Sequence, residues 1–196
     1  MRFFNTAGPI KTNLHYNIPP FERLKDSDLL SLIEQEKYFI LHAPRQTGKT
    51  SALLALADQL NSDDKYNAIY INVELVQSLR EQIVPAMVGL VNTLADQIEF
   101  FHKNESLSQA VRRVVDKPSS TIFNMALTRL AIASDKPVVL FIDEIDSLVG
   151  DTLISVLRQL RSGYAARPQS FPQSVILCGV RDIKDFRINA SSEKDI

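Results

Sequence analysis

Cysteine is nearly missing from this 196-residue chain: Cys178 stands alone, which excludes an internal disulfide and any zinc site built from several thiolates. Histidine is scarce as well, and His15, His42 and His102 are too scattered for a metal cluster. No apolar run approaches the roughly 20 residues of a membrane-spanning helix. The opening "MRFFNTAGPIKTNLHYNIPP" has no continuous apolar segment, so it is not a secretory signal, and the expected location is the cytoplasm. Charge of one sign is lacking too. The formal charge is −1, which indicates neither nucleic acid nor an acidic membrane as a partner. Apolar residues make up 45% of the chain, sufficient for the core of one domain.

Four short, mostly unalternating apolar runs are present: "YFILHA" (38–43), "AIYINV" (68–73), "PVVLFI" (137–142) and "SVILCGV" (174–180). Runs of this kind read as strands buried on both faces of a parallel sheet. Helical patterns lie between them. Residues 49–60 place Leu53, Leu56, Ala57 and Leu60 on one face. The stretch 76–102 contains helix, with Pro85 expected to start, kink or divide it, and 105–115 has weaker helical character. A helix from Ser120 carries Ile122, Ala126, Leu127 and Leu130 inward behind capping hydroxyls. Another runs from Asp151 to about Ala165, with Asp151 as cap and Leu153, Ile154, Leu157 and Leu160 as an inward stripe. The alternation implies an α/β fold with a parallel sheet. The expected organisation is an N-terminal arm over 1–24, a core over 25–188 and a frayed tail over 189–196.

Residues 43–50 read A-x-x-x-x-G-K-T, close to the phosphate-loop pattern G-x-x-x-x-G-K-[ST]. The loop Ala43, Pro44, Arg45, Gln46, Thr47, Gly48, Lys49, Thr50 and Ser51 is therefore the candidate nucleotide contact. Inward backbone N–H groups would meet phosphate, Gly48 would allow close approach, Lys49 would bring charge, and Thr50 would offer magnesium a hydroxyl. The next helix points its positive end at the anion. Ala43 adds a methyl group where glycine is usual, and Pro44 removes one donor without touching the inner amides at Thr47, Gly48, Lys49 and Thr50.

"VVLFIDEID" (138–146) ends an apolar strand in two acids. Asp143 could hold magnesium, and Glu144 could orient and polarise a water at the γ-phosphate of ATP. Asp146 suits capping of the next turn. The long interval between Lys49 and Asp143 accommodates another strand, as in ATPases whose acidic strand is not adjacent in sequence to the loop strand. Arg181 follows the fourth strand, where a guanidinium could sense the γ-phosphate or pair with Asp182 or Asp185. Asn72 could restrain Glu144 or be a satisfied amide near a sheet edge. "HYNIPPFERL" (15–24) could stack on adenine, with Arg23 at the rim, or pack the arm on the domain. Arg158 and Arg161 suit a solvated helix face better than an arginine finger, and Cys178 reads as a small core residue.

Together, "FFNTAGPI…HYNIPPFERL", "YFILHAPRQTGKTSALLAL", "LFIDEIDSLVGDTLISVLRQLRSGY" and "SFPQSVILCGVRD" resemble bacterial AAA-like ATP-binding proteins of the P-loop NTPase superfamily. The similarity is to the signal-transduction ATPases with numerous domains and the archaeal-type ATPases. The resemblance implies a three-layer fold with strand order 5-1-4-3-2 and ATP with Mg2+ at the carboxyl edge. It implies Lys49 and Thr50 as phosphate and metal contacts, Asp143 as metal carboxylate, Glu144 as catalytic carboxylate and Arg181 as sensor. Such relatives continue into a fifth strand and a helical lid. Both are expected to be missing here, as in a truncated chain, leaving the loop strand as an edge open to another chain. Three outputs remain: an ATP hydrolase, a nucleotide-dependent switch that recruits a protein partner or a second copy with negligible hydrolysis, and a small-molecule kinase, for which no acceptor pocket is marked.

Overall fold

The computed structural model describes residues 3–4, 13–16, 19 and 28–180. After a short helix α1 (Leu29–Glu34) come β1 (Tyr38–His42), α2 (Lys49–Ser62), β2 (Asn67–Asn72), α3 (Ile83–Phe100), α4 (Glu105–Arg112), α5 (Ile122–Ala133), β3 (Val138–Asp143), α6 (Gly150–Gly163) and β4 (Ser174–Gly179). Short 3₁₀ turns fill several connections, among them Glu74–Leu79 before α3 and Ile145–Ser147 after β3.

The strands form one parallel sheet in the order β1-β4-β3-β2. This is the expected order without its fifth member among the described residues. Every residue of β3 and β4 is buried. That is why these runs do not alternate: helices cover both faces. Side chains still alternate in direction. Val138, Leu140 and Ile142 point into the core beneath α3, α5 and α6, while Val139 and Phe141 point into a second core beneath α1 and α2. Burial of each such Leu, Ile or Phe contributes about 1.5–3 kcal/mol. The helix faces expected for α2 and α5 are buried as read: Leu53, Leu56, Ala57 and Leu60, and Ile122, Ala126, Leu127 and Leu130.

Pro85 occupies the first turn of α3, where its missing N–H leaves no intrahelical bond unmade, so it starts the helix rather than kinking it. The outer edge of β2 is partly closed by a side chain. Asn61 accepts from the Ala68 N–H at 2.9 Å and donates to the Ala68 carbonyl at 2.9 Å, standing in for a neighbouring strand.

Two helix readings are corrected. Asp151 is not the cap of α6; Val149 holds that position, and Asp151 lies in the first turn, where its charge complements the helix dipole. The inward face of α6 is Leu153, Val156, Gln159, Leu160 and Gly163, with Ile154 and Leu157 only half-buried. The rotation follows from Gln159. Its Oε1 accepts from the Asn124 N–H in the first turn of α5 at 2.9 Å, and its Nε2 donates to the Ser120 carbonyl at 2.9 Å. Thr121 makes no side-chain capping bond, so a residue of α6 supplies what the expected hydroxyl caps do not.

Gly163 ends α6 against the buried ring of Phe171. A β-carbon there would stand 2.3 Å from Cδ2 and Cε2 of that ring. Gly163→Ala should therefore destabilise the fold by about 1–3 kcal/mol, as overpacking does. Urea denaturation of the two proteins measures the difference, and equal midpoints would contradict this packing.

Candidate functional site

Parallel strands share a direction, so the ends of β1, β4, β3 and β2 meet at one edge of the sheet. His42 is level with Gly179, and Asn72 with Asp143. The loop between β1 and α2 and the acids after β3 therefore open onto the same crevice, the usual ligand position of an open α/β sheet.

The loop turns tightly. Gly48 has φ 81°, a left-handed conformation that a side chain disfavours, and Gln46 adopts φ 59°. Thr47 Oγ1 donates to the Pro44 carbonyl at 2.9 Å, and the Ala52 N–H donates to the Gly48 carbonyl at 3.0 Å, the first bond of α2. Lys49 Nζ folds back onto its own loop, donating to the carbonyls of Ala43 at 2.9 Å and Pro44 at 3.0 Å. Arg45 and Gln46 are exposed, and Ser51 is half-buried in the first turn of α2. Ala43 leaves the sheet in register, its N–H donating to the Gly179 carbonyl at 3.4 Å.

Asp143 is wholly buried and accepts three hydrogen bonds. Thr50 Oγ1 donates to Oδ2 at 2.7 Å, Tyr70 Oη donates to the same oxygen at 2.9 Å, and the Glu144 N–H donates to Oδ1 at 2.9 Å. The first bond joins the loop to the acidic strand. Burial, and then the adjacent Asp143 charge, push the Tyr70 hydroxyl far above its ordinary value, so Tyr70 is a neutral donor. Burial and Asp143 raise the Cys178 thiol in the same way, which suits its place in the core beneath α2.

Glu144 turns the chain out of β3 in the left-handed region, with φ 57° and ψ 39°. A non-glycine residue rarely takes this conformation, and doing so stores strain. Partial burial raises its pKa, followed by the charges of Asp143, Asp146 and Glu74; Lys49 opposes them. Asp146 does not cap the next turn. It lies inside the turn Ile145–Ser147, and its buried Oδ1 has no hydrogen-bond partner among the described residues. That oxygen would stand 2.6 Å from a β-carbon at Gly179, so any larger residue at the end of β4 would have to displace the Asp146 carboxylate. Asn72 Oδ1 accepts from the Glu74 N–H at 2.8 Å, a local turn bond and not a restraint on Glu144.

Arg158 and Arg161 are exposed on α6. Arg181, Arg23 and the tail 189–196 lie outside the described residues, as does most of 15–24. Within that last segment His15 is buried, its ring edge-on to Phe3 at 4.8 Å between centroids, and Tyr16 lies 5.1 Å from Phe4. Tyr70 is the site residue that the motifs do not point to. Its signal is weak: one phenol two residues before the end of an aliphatic strand.

Among the described residues there is no group of three or more His, Cys, Asp or Glu placed to hold a metal by themselves. Thr50 and Asp143 supply one hydroxyl and one carboxylate side by side. These hard oxygens suit magnesium that takes its other ligands from phosphate and water. No helix among the described residues is long and apolar enough to cross a membrane.

Fold and site together define a P-loop domain of the nucleotide-binding, ATPase-like kind. The chain belongs to the AAA domain family, whose model matches residues 33–186. A comparison with curated proteins gave no match.

Proposed function

We propose that this domain binds ATP with Mg2+ and hydrolyses it to ADP and phosphate. The observation that carries the reading is the 2.7 Å bond from Thr50 to Asp143, which sets the phosphate loop against the acidic strand. The amides of Thr47, Gly48, Lys49 and Thr50 receive the phosphates, within a loop running from Ala43 to Ser51. Lys49 exchanges two neutral carbonyl partners for phosphate oxygens, a stronger charge-assisted pairing. Thr50 and Asp143 would hold Mg2+, which supplies charge neutralisation to the phosphates when bound. Glu144 orients a water whose oxygen attacks the γ-phosphorus. The bond to the β–γ bridging oxygen breaks, ADP leaves, and Glu144 accepts the water's proton. Arg181 serves as the γ-phosphate sensor.

Glu144 acts only when ionised, and its surroundings favour the protonated form. The kcat/KM for phosphate release, which reports groups of the free enzyme, should therefore fall on the acid side with a midpoint above the ordinary glutamate value. A midpoint at or below that value would contradict the role of Glu144. ATP titration combined with a phosphate-release assay tests the reading as a whole. Binding with Mg2+-dependent release is expected; binding without release would assign a switch, and no binding would remove the site.

A further inference from the structure

We infer that Tyr70 is a positioning residue for the metal carboxylate: its hydroxyl, reaching diagonally from β2 to Asp143 Oδ2, locks the orientation in which Asp143 and Thr50 receive Mg2+. This rests on the reading of the site as an Mg2+–ATP site.

The reach comes from register. Tyr70 pairs with Phe141, so Asp143 is its diagonal neighbour two residues further along β3. Parallel strands about 4.8 Å apart that rise about 3.3 Å per residue put this diagonal pair about 8 Å apart between α-carbons, a gap that a tyrosine side chain spans and an aliphatic one does not. Strand alternation puts Tyr70, Phe141 and Asp143 on the same face, the one covered by α2, which also carries Thr50.

The hydrogen bonds assign each lone pair a task. A carboxylate oxygen accepts in about two directions. Both directions of Oδ2 are taken, by Thr50 and Tyr70, and Oδ1 holds the Glu144 N–H, so Asp143 would meet Mg2+ through the remaining direction of Oδ1 or through a bound water. Because the Thr50 hydroxyl gives its proton to Asp143, its own lone pairs turn outward to the crevice where Mg2+ would enter. Rotation of the carboxylate about its last torsion is intrinsically soft. The phenol adds a fixed second anchor on Oδ2 to the Glu144 N–H on Oδ1, which restrains that rotation, so the Thr50 proton stays committed and the ligand lone pairs stay aimed. Outer partners of this kind typically change metal affinity by about 10–100-fold when removed.

Tyr70→Phe keeps the ring and removes only the donor. The test is a Mg2+ titration of the binding of a fluorescent ATP analogue, with the same analogue titrated in EDTA and thermal unfolding of both proteins followed in parallel. The Mg2+ concentration for half of the affinity gain should rise about tenfold or more. Affinity in EDTA should stay within about twofold, since no phosphate contact is touched, and the unfolding temperature should fall by only a few degrees, because the buried Oδ2 loses one donor and keeps Thr50. An unchanged Mg2+ requirement overturns the proposal. So does a loss of affinity of equal size with and without Mg2+, which would mark Tyr70 as structural only. If the parent chain itself gains no affinity from Mg2+, the reading of the site beneath the proposal fails, and the proposal with it.

Discussion

Lys49→Ala should weaken ATP binding by about a hundredfold or more while leaving the fold in place. The ammonium makes two hydrogen bonds in the nucleotide-free protein, both to carbonyls of its own exposed loop. Removing it therefore leaves one exposed and one part-buried carbonyl and no buried hole. Against phosphate the same group makes charge-assisted bonds, at about 1.5–3 kcal/mol each. Two of them, with the direct attraction between ammonium and phosphate charge offsetting the two loop bonds given up, correspond to about a hundredfold or more in affinity, at about 1.4 kcal/mol per tenfold. Lys49 is also the cation that opposes the carboxylates around Glu144. Its loss leaves Asp143, Glu144, Asp146 and Glu74 less balanced, so an anion entering the crevice meets more repulsion. Calorimetric titration with and without Mg2+ measures the change. Equal affinity in the two proteins would show that the ammonium does not meet the phosphates.

Glu144→Gln should have the opposite profile: binding kept, turnover lost. Glutamine preserves length and the backbone N–H that donates to Asp143 Oδ1. It removes one negative charge from a crevice that holds three others. ATP affinity should therefore stay level or rise slightly. Phosphate release should fall by about 10²–10⁴-fold, the usual contribution of a positioned general base. The left-handed backbone at Glu144 is the same for both residues, so the variant isolates the carboxylate from the turn that carries it. Turnover equal to that of the parent chain would reject Glu144 as the base. A joint loss of binding and turnover would show that its charge serves the fold.

The parts of this molecule that can be read from its sequence are those where one residue type has one physical use. β3 and β4 are sandwiched between helices and must be apolar throughout, so "PVVLFI" and "SVILCGV" announce themselves. The face of α2 follows from Leu53, Leu56, Ala57 and Leu60 at helical spacing. The phosphate loop is legible because close approach to an anion requires Gly48 and a charge beside it. What escapes is whatever depends on neighbours distant in sequence. The cap of α5 comes from Gln159, which no local pattern around Ser120 could announce, and the same glutamine turns α6 away from its apparent stripe. Tyr70 meets Asp143 only through a strand register that is set by the whole sheet. Glu144 takes a left-handed conformation without being glycine, and nothing in "FIDEID" marks the turn. Asn72 could have faced Glu144 and instead closes its own turn with Glu74.

The joining of the loop and the acidic strand into one nucleotide site is open to a direct measurement. Hydrogen exchange of the parent chain, followed by peptide with and without ATP and Mg2+, reports on both elements in one experiment. Slower exchange is expected together in the peptides that contain residues 44–51 and 143–147, with little change along α4. Slowing confined to one of those two segments, or present in neither while ATP is bound, would contradict the shared site.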